Sequence, residues 1–107
     1  LTAFSGDDPE AARDIIKCFI EETVKNADQM QYFLNNKQVD GVAAMAHKLL
    51  PLFTLIGAGE IVPKLSWLEG CRNEEFTQEI QITTKEILSS IQVVLHSAQN
   101  YRKHDSC

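Results

Sequence analysis

Apolar residues recur every three or four positions along the whole chain, and no stretch alternates residue by residue as a half-buried strand would. The pattern predicts four helices. The first opens at Asp8-Pro9, an N-cap acceptor followed by a proline suited to the first helical position, and Glu10 lies in its first turn near the positive end of the dipole. Its stripe is Ile16, Phe19, Ile20, Val24, Ala27, Met30 and Leu34, and it stops at Asn35-Asn36-Lys37. A second helix begins near Val39 and carries Val42, Ala46, Leu49, Leu50, Phe53 and Ile56 on one side. Gly57-Ala58-Gly59 ends it, because glycine enters the left-handed region at little cost. A third, shorter helix covers about Glu60 to Gly70, with Ile61, Leu65 and Leu68 inward and Pro63 close enough to its start to be tolerated. Asn73 is the expected cap of a long fourth helix, with Glu74 and Glu75 in its first turn. The stripe of that helix is Phe76, Ile80, Ile87, Ile91, Val94, Leu95, Ala98 and Tyr101, and Arg102 and Lys103 suit its C-terminal end.

Four amphipathic helices with short connections pack best as an antiparallel up-and-down four-helix bundle, so the fold class expected is all-α. The 107 residues suit one domain spanning 1–107, with one hydrophobic core and no repeat or internal linker. The eight residues before Pro9 and the tail His104–Cys107 read as frayed ends. Leu1 in place of Met suggests a piece excised from a longer protein.

Composition narrows the function. Ten basic residues scattered among fifteen acids, for a net charge of −5, argue against nucleic acid as a partner. No apolar run reaches the roughly 20 residues that span a bilayer, and no signal-peptide pattern opens the chain, so membrane contact is not expected of this domain. The cysteines, Cys18, Cys71 and Cys107, are few, odd in number and far apart. They fit reduced thiols in a cytoplasmic setting rather than a disulfide framework, and none has the spacing of a metal ligand.

One residue stands out. On the wheel of the second helix, His47 points well over a quarter turn away from the stripe of Val42, Ala46, Leu49 and Phe53. Its neighbours one and two turns away are Ala43, Ala44, Leu50, Pro51 and Thr54, most of them small or compact. A neutral imidazole is a competent nucleophile near pH 7. With little steric cover it is open to the active site of another protein. On geometry alone an exposed histidine is more often a plain surface residue, and His96 and His104 are read that way.

The run Ala46-His47-Lys48-Leu49, followed by Ile56-Gly57-Ala58, resembles the signature of histidine-containing phosphotransfer (HPt) domains, an A-H-x-L start with an aliphatic-Gly-Ala exit from the helix. The order of a long first helix, a histidine-bearing second, a shorter third and a long last one is also similar. So is the opening Leu1-Thr2-Ala3-Phe4-Ser5-Gly6-Asp7, which resembles the entry to such domains at the C-terminus of hybrid two-component sensor histidine kinases.

The resemblance implies that His47 accepts a phosphoryl group from a receiver-domain aspartate and passes it to a response regulator. It also implies that the chain is a carrier rather than an enzyme, with receiver domains of response regulators and of the parent hybrid kinase as partners. The domain would bind no cofactor of its own, Mg²⁺ coming with the receiver. The parent protein could be anchored in the membrane with this domain on the cytoplasmic side. Ala43, Ala44, Leu50, Pro51 and Thr54 become the expected receiver-docking face. The family usually has Lys or Arg three residues after the histidine, then Gly and two small residues. This chain has Leu50, Pro51, Leu52 and Phe53 there, as divergent members with a similar H-K-L-L-P-x-F run do.

Lys48, about 100° around the helix, is the candidate for neutralising the phosphate. Pro51 removes the usual partner of the His47 carbonyl. Leu52 and Leu55 point away from the core stripe, and are expected either to pack on the third helix or to form an apolar docking patch. The alternative function is a non-phosphorylated HPt-like bundle that only docks receivers. A metal-binding helical bundle is the weakest reading, since the chain lacks Glu-x-x-His pairs on facing helices. No glycine-rich nucleotide loop is present, so the chain is not expected to use ATP itself.

Overall fold

The computed structural model describes residues 9–105, with side chains described for 13–99. It is all-helical: α1 (Pro9–Asn35), α2 (Val39–Leu55), α3 (Ile61–Glu69) and α4 (Gln78–Asp105). α1 packs on α2 and α4, and α3 closes the ring between α2 and α4. The result is the expected four-helix bundle. α4, with 28 residues, is roughly 42 Å long and so runs most of the 47 Å length of the molecule. The expected cap Asp8 and the N-terminal run before Pro9 lie outside the described residues. The tail expected to fray from His104 is partly helical, since α4 continues to Asp105.

The core is the union of four stripes. Ile16, Phe19, Ile20, Ala27, Met30 and Leu34 of α1 are buried against Val42, Ala46, Leu49 and Phe53 of α2. Ile61, Leu65 and Leu68 of α3 and Ile80, Ile87, Ile91 and Leu95 of α4 complete it. Val24, expected in the first stripe, is 38% exposed, and Thr23 and Asn26 are buried instead. The seam at 16, 19, 20, 23, 26, 27, 30 and 34 explains this, because the position next to Thr23 is turned about 100° out of it. The Thr23 hydroxyl has no hydrogen-bond partner in this seam, whereas the buried Thr84 hydroxyl of α4 donates to the Ile80 carbonyl at 2.7 Å.

Two glycines shape α2, one by a close approach and one by its backbone conformation. Gly41 lies under the Phe33 ring, where an added Cβ would stand 2.3 Å from ring carbons, so α1 and α2 meet closely at that point. At the other end Gly57 takes φ +72°; its N–H donates to the Thr54 carbonyl and that of Ala58 to the Phe53 carbonyl, the paired bonds of a Schellman close. The α1–α2 connection uses the same device with Lys37 at φ 54°, Lys37 N–H donating to Leu34 and Gln38 N–H to Phe33.

The start of the fourth helix differs from expectation. Asn73 does not cap it; the cap is Thr77, whose hydroxyl accepts from the Ile80 N–H at 3.2 Å. Asn73 sits in the connection at φ 73°, and its N–H donates to the Asp40 carboxylate at 3.0 Å. Asparagine tolerates the left-handed region that a turn requires, so the same residue type that suits a cap serves a bend instead.

Candidate functional site

α2 positions His47 by its register. The residues that lock the helix into the core, Val42, Ala46, Leu49 and Phe53, leave Asp40, Ala44, His47, Lys48, Pro51, Thr54 and Leu55 on the outer arc. The His47 side chain is 67% exposed. Pro51, Thr54 and Lys48 are exposed and Ala44 and Leu50 half-buried. Ala43 is a correction: it is fully buried and cannot form part of a docking surface. α3 packs along that flank of α2, which a wheel drawn for α2 alone does not show.

Pro51 lies inside α2 without ending it. Pro51 has no N–H, so the His47 carbonyl lacks its usual helical partner. One turn on, the Thr54 hydroxyl donates to the Leu50 carbonyl at 2.8 Å, an arrangement that bends helices slightly.

The feature that sequence reasoning missed is Glu69, the last residue of α3. Its Oε1 lies 2.6 Å from His47 Nδ1. An ionised carboxylate can only accept, so the bond fixes the proton on Nδ1. In the neutral ring that leaves the lone pair on Nε2, which has no partner among the described residues. Local pattern gives no sign of this pair, because 22 residues and a helix reversal separate its members.

Lys48 is exposed and lies about 100° from His47, on the side away from α3. His96 is a surface residue of α4. His104 lies beyond the residues whose side chains are described. Cys71 is buried, and burial first, then the carboxylates of Glu74 and Glu79, raises its thiol above the ordinary value of 9.0. Cys18 is exposed.

Leu52 and Leu55 face α1 and α4. With Ile56 they line an apolar groove of about 580 Å³ together with Phe19 of α1 and Val94 and Ala98 of α4, which His47 does not line. Among the described residues no cluster of three or more His, Cys, Asp or Glu is placed to hold a metal ion. No helix among them is long and apolar enough to cross a membrane.

What remains is an exposed, tethered imidazole beside a carboxylate, with Ala44, Leu50, Pro51 and Thr54 around it on α2. Such a group can act as a nucleophile toward an electrophile brought by another molecule. Comparison with protein-family models, with curated proteins and with solved structures finds no match for this chain.

Proposed function

We propose that the chain is a phosphorelay carrier in which His47 accepts a phosphoryl group from the aspartyl phosphate of a receiver domain and hands it to a response regulator. One observation carries the reading: an exposed imidazole whose Nδ1 is held by Glu69 at 2.6 Å, leaving Nε2 as the nucleophile. The resemblance of the Ala46–Leu49 and Ile56–Ala58 runs to HPt domains supports it.

The chemistry follows from the tautomer. The Nε2 lone pair attacks phosphorus, a P–N bond forms, the P–O bond to the receiver's aspartate breaks, and that carboxylate leaves with the electron pair. No proton has to move, because Nδ1 already carries one. The ring becomes a cation bearing the phosphoryl group, and Glu69 stabilises that charge through the Nδ1–H bond. Onward transfer reverses the steps: a second aspartate attacks, and the ring leaves as neutral imidazole. Phosphoryl transfer is mainly positioning and charge neutralisation, so a rigid, uncovered histidine is what this protein contributes. The receiver would bring the acidic site and its Mg²⁺.

The experiment mixes the full chain, Mg²⁺ and a receiver domain labelled on its aspartate. Label should move to the chain as acid-labile, base-stable phosphate and be absent from His47→Gln. Failure of label to move from several receivers would overturn the carrier reading. If His47→Gln and the parent chain then bound those receivers equally, the non-phosphorylated docking bundle would take its place.

A further inference from the structure

A phosphoryl group on Nε2 would arrive in unfavourable surroundings. The Glu69 carboxylate is already 2.6 Å from the ring, the C-terminal end of α3 presents its negative dipole end there, and the Asp40 carboxylate lies two turns back on α2. A cation has to offset this charge. Lys48 leaves α2 on the side away from α3.

We propose that Arg72, in the turn after α3, is the residue that binds the phosphoryl oxygens when His47 carries the group; the assignment rests on the carrier reading above. Two contacts bracket Arg72 against the His47 face. Upstream, Glu69 touches His47. Downstream, the Asn73 N–H donates to Asp40 at 3.0 Å, with Asn73 pinned in the left-handed region. Seven residues of α2, about 10 Å, separate His47 from Asp40, and Arg72 leaves the chain between the two anchors.

The turn also fixes the direction. After Glu69 it is closed by bonds between residues three apart, Cys71 N–H to the Leu68 carbonyl and Arg72 N–H to the Glu69 carbonyl. In such a turn, side chains three apart stand one above the other. Leu68 and Cys71 both point inward and are buried. Glu69 and Arg72 therefore share the outer face, the one from which Glu69 reaches the imidazole. Arg72 is exposed and forms no ion pair among the described residues, so its guanidinium is free to take an oxyanion in a forked contact.

The test loads the full chain with potassium phosphoramidate, which gives up its phosphoryl group to the imidazole and loses ammonia, so no partner protein is needed. Phosphorus NMR then follows the ionisation of the phosphohistidine in the parent, Arg72→Gln, Arg72→Lys and Lys48→Gln, and transfer to a receiver is timed for each. Arg72→Gln should load normally, melt with the parent, titrate at higher pH and transfer roughly tenfold more slowly, the loss expected for one charged hydrogen bond. Arg72→Lys should recover most of the shift, and Lys48→Gln should match the parent. A parent that loads while Arg72→Gln titrates and transfers unchanged, or a shift found in Lys48→Gln instead, would overturn the assignment and leave the carrier reading standing. A parent that takes no phosphoryl group removes the carrier reading and the role of Arg72 with it.

Discussion

At the scale of single residues, the chemistry rests on which nitrogen of His47 holds the proton. Free imidazole favours a proton on Nε2, and the hydrogen bond at the other nitrogen decides the tautomer in a protein. Removing the acceptor at Nδ1 should therefore reverse the choice. In Glu69→Ala the nitrogen NMR signals of His47 should move toward the Nε2–H form, while the melting temperature barely changes, because the pair is exposed and contributes little stability. Transfer to or from a receiver should slow in parallel. An unchanged tautomer in that variant would mean that Glu69 does not orient the ring. The exposure of His47 was legible in the sequence, from its angle on the α2 wheel. Glu69 was not, because it reaches the ring only through the docking of α3 on α2.

At the scale of elements, α2 is the informative case. Its start at Val39 and its close at Gly57 follow from local chemistry, apolar spacing on one side and a left-handed glycine at the end, and both were readable. Pro51 works against the helix, since it lacks the N–H that would serve the His47 carbonyl and its ring crowds that carbonyl. The helix persists because the buried side chains of α2 hold it in place on either side. Pro51→Ala restores the bond at an exposed position where little packing is lost. It should stabilise the protein by about 1–3 kcal/mol, read as a higher urea midpoint with unchanged slope. A lower midpoint would mean that the pyrrolidine ring packs on something the exposed position does not reveal. The fourth helix shows the opposite limit. Asn73 and Thr77 are both good caps by residue type, and the choice between them was made by Asp40 of another helix, which draws the Asn73 N–H into a turn.

At the scale of the whole molecule, the bundle is a single core, and its centre carries the stability that keeps the His47 face rigid. Phe53 is fully buried, and its ring lies 5.4 Å from that of Phe19 at 58°, tying α2 to α1. Phe53→Ala should cost about 3–5 kcal/mol, a large part of the 5–15 kcal/mol typical of a domain, and thermal unfolding would show it as a marked fall in midpoint. A variant melting with the parent would mean that α2 is rotated relative to its placement here. The same packing explains Ala43, exposed by the wheel of α2 considered alone and buried once α3 covers it.

The sequence by itself determined the number, order and approximate ends of the four helices, most of the core stripes and the outward direction of His47. Those depend on helical period and on the conformational preferences of residues a few positions apart, and both are written locally. Tertiary structure decided that Thr23 and Asn26 rather than Val24 enter the seam of α1, that Leu52 and Leu55 border a groove with α1 and α4, and that Glu69 meets Nδ1 of His47. Each depends on the angle and register at which one helix meets another. That geometry is set by the shapes of many side chains packing at once, and no spacing along the chain encodes it one residue at a time.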